Sequence, residues 1–151
     1  DFLRMFSDSL TDKSFKSLLG LCVMGGIFSE GIDLKGDNLI GSIIVGPGLP
    51  MVSDEREILK TKYEEEGFNG YDYAYRYPGM NKVLQAAGRV IRTEEDRGVV
   101  LLLEERFNQT HYTRLFPREW SGYRQVSVSN VKSEILRFWE EQNLTEFSGD
   151  M

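Results

Sequence analysis

The stretch Gln85-Ala86-Ala87-Gly88-Arg89-Val90-Ile91-Arg92 decides how the rest of this chain is read. At 3.6 residues per helical turn, Gln85, Gly88, Arg89 and Arg92 fall at i, i+3, i+4 and i+7 and share one stripe. Met80, Val83, Leu84, Ala87 and Ile91 make a second stripe, turned away from the first by roughly 150°. One face therefore reads as core. The other carries two guanidiniums and a carboxamide, with a glycine between them that lets another group approach the backbone closely. Taken alone, the octet fits two things equally: an amphipathic helix with a solvated polar face, and a helix that presents arginines to a ligand.

The segments on either side favour an α/β chain. Upstream, Ser42 to Val45 reads as a buried strand stopped by Gly46-Pro47-Gly48-Leu49-Pro50. Ser53 or Asp54 then caps a helix to about Gly67, with Ile58, Leu59 and Tyr63 inward and the acidic run Glu64 to Glu66 in solvent. Tyr71, Tyr73, Tyr75 and Tyr77 alternate. That spacing fits a strand, a stacking surface for bases, or buried tyrosines whose hydroxyls find partners. The third is preferred, because Pro78-Gly79 leads straight into the octet's helix and the segment is expected to pack beside it.

Downstream, Asp96-Arg97-Gly98 is a turn and Val99 to Leu103 is the clearest buried strand. A short helix around Tyr112 to Phe116 follows. A last amphipathic helix runs from about Asn130 to Gln142, capped by Ser129, with Val131, Ile135, Leu136, Phe138 and Trp139 apolar.

Nearer the start, residues 2–20 have a helical apolar spacing through Phe2, Leu3, Phe6 and Leu10. Leu18 to Met24 reads as a third buried strand, ending in a tight loop at Gly25-Gly26 and burying the single Cys22. The loop from Ile27 to Gly36 alternates glycines with carboxylates and a hydroxyl. In an α/β fold such a loop is either a ligand contact or a plain surface turn. Three buried strands separated by helices predict a mostly parallel sheet.

Composition narrows the function classes. A chain of 151 residues is the size of one domain, taken here as residues 1–151. No run approaches the roughly 18 apolar residues of a membrane span, and Asp1-Phe2-Leu3-Arg4 does not resemble a signal peptide. One cysteine allows neither an internal disulfide nor an iron–sulfur cluster made within this chain, and a reducing cytoplasmic setting is the expectation. His111 is the lone histidine, so no metal site is expected. The balance of 18 basic against 24 acidic residues argues against a stand-alone nucleic-acid binder.

Three blocks occur in a fixed order: Ser29-Glu30-Gly31-Ile32-Asp33, then the octet, then Asp96-Arg97-Gly98. That order resembles the C-terminal motor half of DinG/XPD-type superfamily 2 DNA helicases, with the first block similar to motif V and the octet to motif VI. The resemblance runs from about Leu18 to the final helix. Ser29 stands where the bacterial branch often has an aromatic residue, and Glu104 where an Asp is usual; both departures touch fine contacts.

The resemblance implies a three-layer RecA-like second motor domain, with its first strand upstream of Asp1. It further implies an ATP site, with Mg²⁺, shared with an N-terminal motor domain of the same parent chain. Arginine suits such a site because it stays charged and offers a planar fork of donors. Arginine fingers in related enzymes contribute about 10³–10⁵ in rate. By resemblance Arg92 is the finger, Arg89 its phosphate-contacting neighbour, and Gln85 couples nucleotide state to domain closure. Gly88 lines the approach. Glu30, Gly31 and Asp33 border the ribose and the metal–water shell, and Ser29 touches the backbone of single-stranded or forked DNA.

The sequence contains no phosphate loop and no acidic Mg²⁺-binding box, so the chain alone is expected not to hydrolyse ATP. The competing reading is a non-catalytic nucleic-acid-binding or assembly module that keeps the fold. A fragment lacking a sheet strand also leaves a self-pairing edge open.

Overall fold

Two parallel strands and the helical crossover between them frame the computed structural model, which describes residues 18–26, 39–93 and 96–148. Strand β1 (Gly41–Val45) pairs in parallel with β2 (Val99–Leu103), Gly41 opposite Val99 and Val45 opposite Leu103. Parallel neighbours cannot be joined by a hairpin, and here the connection carries two helices. This is the α/β arrangement the sequence predicts. The chain divides after Leu115 into two compact units.

Helix α1 (Asp54–Glu65) starts where expected. Ser53 is extended, and its hydroxyl accepts from the Arg56 N–H at 3.4 Å. Asp54, Glu55 and Glu57 occupy the first turn, at the positive end of the helix dipole. Its apolar side is a correction, since Ile58 is 69% exposed and Leu59 is also exposed. The helix is held instead through polar and aromatic links to the tyrosine segment. Tyr75 donates its hydroxyl to Glu57 Oε1 at 2.6 Å, and Tyr63 stacks on Tyr73 with centroids 4.2 Å apart. Gly70 makes the close approach possible, because a Cβ there would lie 2.1 Å from the Lys60 carbonyl oxygen.

The alternating tyrosines form no strand. Asp72–Arg76 is a π-helical turn that runs into helix α2 (Tyr77–Ala87). Proline explains part of this. Pro78 has no N–H to give the Ala74 carbonyl four residues back, and that oxygen accepts from Arg56 Nη1 at 2.7 Å. The third reading of the segment holds for Tyr75, which is buried with its hydroxyl bonded, whereas Tyr73 and Tyr77 are half-buried and Tyr71 is exposed.

Along α2, Met80, Val83 and Ala87 are buried as the apolar stripe requires. Gly79 allows contact with the loop after β1, since a Cβ there would lie 2.5 Å from the Pro47 carbonyl oxygen. Ile44 of β1 is buried too, but Ile43 and Val45 on either side of it are exposed and β2 has no fully buried residue, which corrects the reading of both strands as buried.

The third strand is a correction. Leu18 to Met24 is irregular, with Leu21 87% exposed and Cys22 exposed as well. An apolar run becomes a strand only when a neighbour accepts its ladder, and among the described residues the sheet consists of β1 and β2. The tight loop does form, with Gly25 at φ 82° and the Gly26 N–H on the Val23 carbonyl at 3.0 Å. The rest of the segment expected as a helix, residues 2–17, lies outside the described residues.

After β2 the chain makes a 3₁₀ turn (Glu105–Asn108) and a one-turn helix α3 (Thr110–Thr113), two residues earlier than expected. Phe107 and Tyr112 are buried there. In the second unit, Phe116 meets Trp120 and Tyr123 edge-on at 5.3 and 5.5 Å. Its helix α4 (Val131–Ser148) runs past the expected end at Gln142. Leu136 is exposed, Val131, Ile135, Phe138 and Trp139 are half-buried, and the Ser129 hydroxyl bonds that of Ser127 at 2.8 Å. Among the described residues, no helix is long and apolar enough to cross a membrane.

Candidate functional site

Helix α2 stops at Ala87, so the octet is not one continuous helix. The Gly88 N–H reaches the Leu84 carbonyl at 2.8 Å, the last bond of the helical spacing. The next two amides tighten to three-residue spacing, Arg89 to Ala86 at 3.2 Å and Val90 to Ala87 at 3.0 Å. Gln85 is therefore exposed on the last helical turn, Gly88 caps it with φ −65°, Arg89 lies in the following turn and Arg92 beyond it. The expected single stripe of four is corrected to a helix end plus a turn.

Packing causes the change. Helical spacing puts Ile91 in the core, but Ile91 is 50% exposed and Val90 is buried in its stead. Val90 closes onto Gly98, where a Cβ would lie 2.3 Å from Val90 Cγ1 and 2.9 Å from the Ile40 carbonyl oxygen. The same Ile40 carbonyl accepts from the Val99 N–H at 3.0 Å. The turn with both arginines is thus fastened where the two strands begin.

Asp96 fixes the far side of this turn. Its Oδ2 accepts from the Arg92 N–H at 3.0 Å and the Thr93 N–H at 2.8 Å, and its own N–H meets the Thr93 carbonyl at 3.3 Å. Those two amides, the Arg92 one foremost, hold the Asp96 carboxyl below its ordinary range, and the nearby Arg92 charge acts the same way. The sequence marks Asp96 as a turn residue and as part of the third block, without a link to Arg92. The available signal was a carboxylate at the end of the polar tract that follows two arginines. Both arginines are half-buried, and Arg92 Nη2 is buried.

A second polar cluster was not anticipated. Asp72, almost wholly buried, bonds Arg76 Nη1 through Oδ1 and Arg114 Nη2 through Oδ2, the latter at 2.9 Å. The Arg76 guanidinium carbon lies 5.2 Å from the ring centroids of both Tyr71 and Tyr112. Glu104, just after β2, holds Arg106 Nε with both oxygens, at 2.5 and 2.7 Å, and raises the pKa of that guanidinium. Asp72 and Arg76 stand at i, i+4, the one clue the sequence offered.

Ser29, Glu30, Gly31 and Asp33 lie outside the described residues. Among the described residues there is no cluster of His, Cys, Asp and Glu that could hold a metal ion.

The family described as "Helicase C-terminal domain" matches residues 1–123. This chain belongs to that family. It is 34% identical over 144 residues to a "Regulator of telomere elongation helicase 1 homolog" of Anopheles gambiae, covering 87% of this chain and 14% of that protein. The homolog of Aedes aegypti is 35% identical over 117 residues, 71% of this chain and 12% of the relative. A "Probable ATP-dependent helicase" of Methanocaldococcus jannaschii is 29% identical over 102 residues, 62% of this chain and 16% of the relative. The chain thus spans about a seventh of the length of these curated relatives. No solved structure matches. The helicase C-terminal domain expected from motifs V and VI is the one found, and helices with a parallel strand pair fit its α/β RecA-like class.

Proposed function

We propose that this chain is the C-terminal motor half of an ATP-dependent DNA helicase, and that it lends arginines to an ATP site completed by an N-terminal motor domain. The observation that carries the reading is the Arg89–Arg92 turn, two half-buried arginines beside an exposed glycine at a helix end. This donor set fits the polyphosphate of ATP: fixed positive charge, forked donors and close access to backbone at Gly88. Bound ATP with Mg²⁺ supplies the phosphoryl group whose transfer drives the motor.

In this reading Arg92 stabilises charge on the γ-phosphoryl group, Arg89 contacts a phosphate and Gln85 relays nucleotide state to domain closure. Glu30, Gly31 and Asp33 border the ribose and the metal's water shell, and Ser29 meets the DNA backbone. The relatives' names speak of telomere elongation, which favours DNA over RNA as the strand engaged. A reducing cytoplasmic setting fits an exposed lone thiol. The fragment alone is inactive in this scheme, because the phosphate loop and acidic box belong to the other half.

The test is DNA-stimulated ATP hydrolysis by the full-length parent. Arg92→Ala lowers kcat by about 10³-fold or more with ATP still bound, and Arg92→Lys recovers little because a point charge does not replace a fork. Unchanged turnover in Arg92→Ala, or an upstream sequence without a phosphate loop, sinks the proposal.

A further inference from the structure

Arg92 lies five residues past the end of α2, so the helical ladder does not set its position. Arg89 lies closer to the helix end, its N–H on the Ala86 carbonyl at 3.2 Å in the tightened turn and the buried Val90 beside it. Asp96 takes hold of the Arg92 backbone. One carboxylate oxygen gathers the N–H of Arg92 and the N–H of Thr93, at 3.0 and 2.8 Å, where helix carbonyls would otherwise have served. The return bond from the Asp96 N–H to the Thr93 carbonyl, 3.3 Å, fastens the turn from its other end. Asp96 is in turn anchored by sequence neighbours, since Gly98 two residues on is wedged between Val90 and the Ile40 carbonyl.

From this geometry we infer that Asp96 is the positioning residue for Arg92: it fixes the Arg92 backbone so that the guanidinium meets the nucleotide from a preset direction. The inference rests on the proposed role of Arg92. Asp96 bonds the backbone of Arg92, and the phosphate is left to the guanidinium. The carboxylate contributes acceptor strength, because charge-assisted bonds to backbone amides are stronger than neutral ones. Losing it removes the shared acceptor of both amides and loosens the torsions between them. A displacement of about 1 Å at a catalytic group is enough to lower turnover about 100-fold.

The test uses the full-length helicase, single-stranded DNA and ATP. Asp96→Ala lowers kcat about 10- to 100-fold while KM for ATP changes by less than about threefold. Asp96→Asn, which keeps an oxygen in the same place, recovers most of the rate. Arg92→Ala/Asp96→Ala is no slower than Arg92→Ala alone, because a positioning residue has nothing left to position. If Asp96→Ala fails to fold, Asp96→Glu displaces the acceptor by one methylene and carries the same expectation. Asp96→Ala within twofold of wild type, beside a crippled Arg92→Ala, overturns the inference and leaves the proposed function standing. So does an Asp96→Ala loss that multiplies in the Arg92→Ala background. A fully active Arg92→Ala instead sinks the functional reading itself.

Discussion

Val90 and Gly98 meet so closely that a methyl group on residue 98 would lie 2.3 Å from Val90 Cγ1. Val90 is buried and the next neighbour is the Ile40 backbone oxygen at 2.9 Å, so relief requires moving either the turn that carries Val90 or the backbone just before β1. Gly98→Ala is therefore expected to destabilise the protein by about 1–3 kcal/mol, the usual cost of overpacking a core. It also displaces the turn that carries Arg89 and Arg92. A lowered urea midpoint at unchanged m-value is the signature, and an unshifted midpoint means the contact is looser than described.

Gly88 behaves oppositely. Its φ of −65° is open to any residue, and a Cβ would meet the Leu84 carbonyl oxygen at 3.2 Å, tight but short of a clash. Against that stands the smaller loss of backbone entropy with alanine, about 0.4–1 kcal/mol in favour. Gly88→Ala is expected to keep stability within about 1 kcal/mol of wild type. If the parent's ATPase nonetheless falls, the glycine serves an approaching ligand. Full stability with full activity removes Gly88 from the site.

These two glycines show how far the sequence could be read. The period of the apolar residues placed Met80, Val83 and Ala87 in the core, and those are buried. The same period failed at Ile91, because where a helix ends depends on the strand it must reach. It failed also at Leu18 to Met24, whose apolar character says nothing about a ladder partner. Residue type and order single out the two arginines as candidates. Their setting was not legible, since the hold of Asp96 on Arg92 depends on a turn conformation that no periodicity encodes. Asp72 escaped notice for a similar reason. Its partner Arg114 is distant in sequence and comes close only once the crossover is folded.

Tyr75 and Glu57 make stability depend on pH at both ends of the scale. The Tyr75 hydroxyl, and after it Lys60, holds Glu57 below the ordinary carboxylate range. A lowered folded pKa gives stability that is present above the unfolded value and lost as pH falls through the folded one. The same bond, with burial behind it, pushes Tyr75 above the ordinary phenol value. Its contribution is present below the unfolded pKa and lost as pH rises through the folded one. Tyr75→Phe is expected to be less stable than wild type at neutral pH, with the gap closing in acid below the carboxylate range and in alkali above the phenol range. Urea melts across a pH series measure this, and a constant gap would mean that the bond does not persist in solution.

Asp72 concentrates more buried charge than any other described residue. Its side chain is 3% exposed, the paired Arg76 side chain 12% and the paired Arg114 side chain 48%. Removing one partner of a buried pair leaves the other desolvated and uncompensated, which costs about 3–5 kcal/mol. Removing a half-exposed partner costs about 0–1 kcal/mol, because water replaces it. Asp72→Ala is accordingly expected to lower stability by about 3 kcal/mol or more, and Arg114→Ala by about 1 kcal/mol or less. The rings of Tyr71 and Tyr112 flank Arg76 at 5.2 Å and add to the loss if the guanidinium swings out for water. Tyr112→Leu, which keeps bulk without a π face, is then expected to destabilise wild type more than it destabilises Asp72→Ala. Chemical denaturation of the two single variants and the double variant measures that coupling. Equal costs for Asp72→Ala and Arg114→Ala, or strict additivity with Tyr112→Leu, would show that the network does not centre on Arg76.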